Sequence, residues 1–170
     1  MIYLNLFFVG GVFMNKIRIF TLAAVAAMAI GFLSCSSGDV KSTGNALIDS
    51  LNVMLAKVPI DGYQSGQAAS KAEWNRMITA AVPVVKEVLP KIPAGFKLQV
   101  TGHTDSQGGT TSQGNMALSA QRAQQVFQEL RKRGITDPKL VSKGVGGTIV
   151  SGKCSDSDSC QRRVTFIVVQ

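Results

Sequence analysis

Seven residues in the middle of the chain, Phe96-Lys-Leu98-Gln-Val100-Thr-Gly102, alternate apolar and polar side chains. This is the pattern of a strand with one face on a core. Ser106 to Gly114 follows as a Gly- and Ser-rich loop. A helix is then expected from Ser119, a good N-cap, to about Arg133, with Ala123, Val126, Phe127 and Leu130 facing the core. Gly134 stands where a helix C′ residue belongs. The cations Arg131, Lys132 and Arg133 suit a solvated helix C-terminus. Lys139 to Val145 reads as a second strand, and Val164 to Val169, dense in β-formers, as a third. A strand–helix–strand order calls for a right-handed crossover and a helix packed on the sheet.

The segment before this unit is helical in pattern. Leu47, Ile48, Leu51, Met54 and Leu55 recur at helical spacing between Ala46 and Val58, and Pro59 ends the run. Ser70-Lys-Ala-Glu73 is a capping box ahead of Trp74, Met77, Ile78, Ala81, Val85 and Val88, which share one helix face. Pro83, inside that run, is expected to kink it, and Pro90 and Pro93 to close it. Ile60 to Gly66 reads as a short strand or loop around Tyr63. The fold class expected is α+β, a two-layer sandwich of a mixed sheet with helices on one face, over residues 46–170.

The N-terminus reads as a lipoprotein signal. Lys16 and Arg18 are a basic region, Ile19 to Leu33 an uncharged apolar run, and Phe32-Leu33-Ser34-Cys35 resembles a lipobox. Residues 1–34 would be the signal peptide and Cys35 the lipid-bearing residue, with 35–45 as a tether. Met14 is the expected start, which makes residues 1–13 an upstream extension. The alternative is an uncleaved anchor helix over Ile19 to Leu33.

Removing Lys16 and Arg18 would lower the formal charge from +8 to +6. That excess favours anionic surroundings, among them acidic lipid, lipopolysaccharide and the carboxylates of a cell-wall polymer. No nucleic-acid-binding motif is present, so nucleic acid is not an expected partner. Of three cysteines, Cys35, Cys154 and Cys160, the last two enclose Ser-Asp-Ser-Asp-Ser. With lipid on Cys35, a Cys154–Cys160 disulfide fits an oxidising compartment, and two free thiols are the alternative. The Cys spacing and the single His argue against a zinc site.

The chemistry concentrates at the end of the central strand. Asp105 can receive an ammonium group. Arg122, expected in the first turn of its helix, would join the helix N-terminus in holding a carboxylate. Asn115 offers a donor and an acceptor to the loop or to a ligand. A carboxylate and a guanidinium at the two ends of one loop suit a zwitterion, but they equally suit a salt bridge with each other. His103 is read as a structural residue, since no nucleophile motif accompanies it.

Val100-Thr-Gly-His-Thr-Asp105, Asn115-x-x-Leu-Ser-x-x-Arg122-Ala, Gly134-Ile, Gly144-x-Gly146 and Arg162-Arg163-Val-x-Phe166 together resemble the OmpA-like peptidoglycan-binding domain, over roughly Trp74 to Gln170. The resemblance implies a non-enzymatic, cofactor-free and metal-free domain that clamps the diaminopimelate residue of the peptidoglycan peptide stem. By the same resemblance, Asp105 would hold the ammonium and Arg122 the carboxylate. Loop amides near Thr104 and Ser106 would assist, Asn115 and Leu118 would shape the pocket, and Arg163 would lie beside it. The Asp105–Asn115 loop looks slightly longer than in many members.

Three functions are weighed. One is an outer-membrane lipoprotein, with its domain in the periplasm, that anchors membrane to wall; Ser36 after the cysteine favours that sorting. A second is an interaction module of a larger envelope complex with a protein as its main ligand. A third is a hydrolase using His103 and Asp105.

Overall fold

The computed structural model describes residues 41–67, 72–155 and 159–170. The expected leader, the lipid-bearing Cys35, the first part of the tether and Ser70 of the capping box lie outside the described residues. Among the described residues no helix is long and apolar enough to cross a membrane.

The elements are helix α1 (Ala46–Leu55), helix α2 (Ala72–Val88), strand β1 (Lys97–Gly102), helix α3 (Gln113–Lys132), strand β2 (Leu140–Gly144) and strand β3 (Val164–Val169). The sheet order is β2-β1-β3. β1 pairs parallel with β2, Leu98 opposite Leu140, and antiparallel with β3, Val100 opposite Phe166. This is the mixed α+β sheet expected. The segment around Tyr63 contributes a single antiparallel bridge, Ile60 to Val164, rather than a full strand.

α1 has ten residues, too few to hold helical form alone in water. The Asn45 side chain caps it by accepting from the Leu47 and Ile48 amides. Packing does the rest: Ile48, Leu51 and Leu55 are almost fully buried, and burial of each such side chain is worth about 1.5–3 kcal/mol. The same helix, together with Ile60 beyond its end, closes the outer edge of the sheet. Asn52 Oδ1 accepts the Val168 amide at 2.7 Å, and Ile60 exchanges both backbone hydrogen bonds with Val164. An edge that would otherwise expose unpaired amides is thereby covered.

α2 continues through Pro83 to Val88, so the proline does not end it. Proline lacks the N–H that the Thr79 carbonyl would accept. The Thr79 hydroxyl donates to the Asn75 carbonyl at 2.7 Å and accepts from Arg133 at 2.6 Å. Ile78, Ala81, Val85 and Val88 form the buried face. They meet Leu98 and Val100 of β1, Ala123, Val126 and Leu130 of α3, and Val164, Phe166 and Val168 of β3 in one core.

α3 starts seven residues earlier than its sequence suggests. Ser112 is its N-cap, with its hydroxyl accepting the Asn115 amide, whereas Ser119 is fully buried in the helix body. The C-terminal end is as expected. Gly134 takes a positive φ of 83°, and Ile135 and Gly134 donate back to Leu130 and Arg131. That is the paired bonding of a Schellman motif.

Candidate binding site at the end of the central strand

β1 does not stop cleanly at Gly102. The His103 amide donates to Arg163 on one side and the Thr104 amide to Gly146 on the other, each at 2.9 Å. The next residue, Asp105, is therefore held on a backbone fixed from both flanks, and its side chain is 8% exposed. The Thr104 amide is thus committed to Gly146, while the Thr104 Oγ1 is buried with no hydrogen-bond partner among the described residues.

The residues of the Leu-Ser-x-x-Arg-Ala run have a clear purpose in α3. Ser119, Arg122 and Ala123 are all at 0% exposure, and their spacing puts them on one helix face. That face lies so close to the sheet that only glycine fits opposite. A Cβ on Gly102 would collide with the Ser119 carbonyl, and one on Gly144 would lie 2.6 Å from Ser119 Oγ. Ser119 Oγ donates to Met116 and accepts the Gly146 amide, each at 2.9 Å. It clasps helix to sheet and does not cap the helix.

Arg122 accordingly sits in the middle of α3, not in its first turn, and gains nothing from the helix N-terminus. Its Nε donates to the Gln67 carbonyl at 2.9 Å, Nη1 to His103 at 2.8 Å and Nη2 to Gln64 at 3.1 Å. Its guanidinium carbon lies 5.0 Å from the centre of the Tyr63 ring, a cation–π distance. The Tyr63 hydroxyl accepts from Trp74 Nε1 at 2.8 Å. Burial lowers the Arg122 pKa to about 10; Tyr63 and Asp105 oppose that shift, while Arg162 adds to it. Burial likewise pushes Tyr63 up to about 12, against the Trp74 hydrogen bond and the Arg122 charge.

Asp105 and Arg122 do not form a salt bridge with each other. The partner of Asp105 is Arg162, whose Nη1 lies 2.8 Å from Asp105 Oδ2 and whose Nε donates to the Tyr63 carbonyl at 2.9 Å. Arg163, which the resemblance puts beside the pocket, donates to Gln161 Oε1 at 2.9 Å and to the Ile149 carbonyl at 3.2 Å. The Arg162-Arg163 pair was visible in the sequence, but which of the two reaches Asp105 depends on the chain's path into β3.

Asn115 is a loop organiser. Its Nδ2 donates to the Gln107 carbonyl at 2.8 Å and the Gly109 carbonyl at 2.9 Å, with Asp105 O at 3.4 Å. Gly108 and Gly109 both take positive φ, 77° and 95°, which this tight turn requires. Ser106 accepts the Gly109 amide inside the same turn. Leu118 is half-buried on α3. His103 Nε2 lies 2.9 Å from Thr165 Oγ1 in a buried position, a structural setting for that ring. Cys154 and Cys160 form a disulfide with Cα atoms 6.5 Å apart, away from Asp105 along the chain.

The fold and site define a two-layer α+β domain with a charged cluster, one carboxylate and two guanidiniums, at the C-terminal end of its central strand. Residues 80–162 match the model of the OmpA family. The chain is similar to the OmpA-like domain of FopA1 from Francisella tularensis subsp. tularensis SCHU S4, with 25% identity and a TM-score of 0.53 over 65% of this chain and 69% of that one. It also shares its fold with the peptidoglycan-associated lipoprotein from Burkholderia pseudomallei, with 21% identity and a TM-score of 0.52 over 72% of this chain and 99% of that one. Comparison with curated proteins gives no match.

Proposed function

We propose that this protein binds peptidoglycan without cutting it, through the diaminopimelate end of the peptide stem, and that lipid on Cys35 tethers the domain to the outer membrane. The observation that carries the reading is the charged cluster. Asp105 sits on a doubly held backbone beside Arg162, and the buried Arg122 donates to the His103 carbonyl, two residues before Asp105, at 2.8 Å. The cluster holds one anion and two cations, and a zwitterion gives each sign an opposite partner: its ammonium meets Asp105 and its carboxylate the guanidiniums, with the net charge of the cluster unchanged.

In this reading Asp105 takes the ammonium, in exchange for its bond to Arg162, and Arg122 and Arg162 face the carboxylate. The unpartnered Thr104 hydroxyl and the Ser106 backbone assist, while Asn115 and Leu118 hold the loop and pocket wall. Arg163 braces the sheet end behind them. The OmpA-family match supports this assignment.

The test is retention on purified sacculi. Wild type should be retained and Asp105→Ala lost by tenfold or more, with released muropeptides absent from the supernatant. Equal retention of Asp105→Ala and wild type would remove the site. A Cys35→Ser chain should leave the membrane fraction, and its persistence there would remove the lipid tether.

A further inference from the structure

The guanidinium that should receive a ligand carboxylate is already occupied by the protein's own backbone. Two nitrogens of Arg122, Nε and Nη2, donate to the Gln67 and Gln64 carbonyls at 2.9 and 3.1 Å. An arginine fork grips a carboxylate with a parallel pair of this kind. We propose that the Gln64–Gln67 turn is a displaceable strap that mimics the ligand carboxylate, and that ligand binding requires it to lift from Arg122. This rests on the peptidoglycan-binding reading of the same site.

Three features support the strap. The first is electrostatic: neutral carbonyls only partly compensate a buried cation, and among the described residues Arg122 makes no salt bridge. An incoming carboxylate is the stronger acceptor. The second is mechanical. Gln64, Ser65, Gly66 and Gln67 are all exposed, and the turn's own closing bond, Gln67 amide to Gln64 carbonyl, is long at 3.3 Å. Segments with few buried contacts open at low cost.

Gly66, inside the turn, takes φ of 69°, with nothing within 4 Å of a Cβ placed on it. It is free to turn without repacking a neighbour.

The third feature is the anchor. Tyr63 is buried at 3% exposure. Its hydroxyl is held by Trp74, its carbonyl by Arg162 and its ring lies against Arg122. The strap can therefore lift from Gln64 onward while Tyr63 stays as the floor of the site.

The experiment uses the full chain and a synthetic stem tripeptide ending in meso-diaminopimelate, followed by 1H–15N spectroscopy. The expected result is that the Gln64 to Gln67 amides shift and exchange faster with solvent on binding. The indole N–H of Trp74, the chain's single tryptophan, should remain in place. Gly66→Ala, which strains the closed turn at its positive φ, should bind the tripeptide about three- to fivefold more tightly.

If wild type binds while the Gln64–Gln67 amides are unchanged and Gly66→Ala has wild-type affinity, the strap is overturned and the binding site stands. If neither wild type nor Gly66→Ala binds tripeptide or sacculi, the binding reading falls and the strap with it.

Discussion

Arg162 Nη1 lies 2.8 Å from Asp105 Oδ2 across 57 residues of chain, and this pair, not Asp105 with Arg122, is the salt bridge of the site. With side chains 16% and 8% exposed, the two are shielded enough for the contact to matter. The pairing leaves Arg122 without a carboxylate, which is the imbalance a ligand would correct.

Replacing Arg162 separates positioning from binding. Arg162→Ala frees Asp105 but releases the Tyr63 carbonyl as well. We expect weaker retention on sacculi by about tenfold, and a loss of stability of about 1–3 kcal/mol from the broken charged hydrogen bonds. Asp105→Asn, which keeps the shape, should lose binding with a smaller loss of stability. Denaturant titration beside the sacculus assay distinguishes the two effects.

Arg122→Ala is expected to cost stability as well as binding. It removes a fully buried side chain and strands the Gln64, Gln67 and His103 carbonyls. A loss of about 3–5 kcal/mol is expected for a disrupted buried charged network, which for a domain of this size lowers Tm by about 10 °C or more. A thermal melt within a few degrees of wild type would contradict the described burial.

Gly102→Ala tests the close approach of β1 and α3. The obstacle is the Ser119 carbonyl, which belongs to a helix backbone and cannot swing away. We expect destabilisation of at least about 2 kcal/mol, whereas Gly114→Ala, at a position with nothing within 4 Å of a new Cβ, should be neutral or stabilising. Equal effects of the two changes would place α3 further from the sheet.

Tyr63 predicts an alkaline loss of stability. Its folded pKa is about 12 against an ordinary value of 10. The folded state therefore holds the phenol proton more tightly, and that stabilisation is complete below pH 10 and lost as pH rises through 12. Chemical denaturation at pH 9 and pH 11.5 should show the stability difference between wild type and Tyr63→Phe moving in favour of the Phe variant. A difference independent of pH would mean that Tyr63 is not buried in the folded state.

Reduction of Cys154–Cys160 opens a short loop and should cost about 2 kcal/mol. The loop is braced independently by Gln161, whose Nε2 donates to the Ser151 and Cys154 carbonyls at 3.1 and 3.2 Å. Sacculus retention at 25 °C should therefore survive reduction, measured with and without dithiothreitol.

The local patterns were legible in the chain alone. Alternation in Phe96 to Gly102, helical spacing of Ala123, Val126 and Leu130, the C′ role of Gly134 and the short Cys154–Cys160 span depend only on neighbours a few residues apart. So did Asp105 and Arg122 as the charged candidates. The start of α3 was misread because Ser112 and Ser119 are equally good caps in isolation; the contacts of Ser119 with Gly146 made it an interior clasp. The choice of Arg162 over Arg163 and the covering of Arg122 by Gln64 and Gln67 could not be read from spacing. They bring together residues more than fifty positions apart, and only sheet register and the packing of α3 on β1 decide which side chains share a low-dielectric space. Tertiary structure thus set which charges meet, while the sequence on its own determined where they stand on each element.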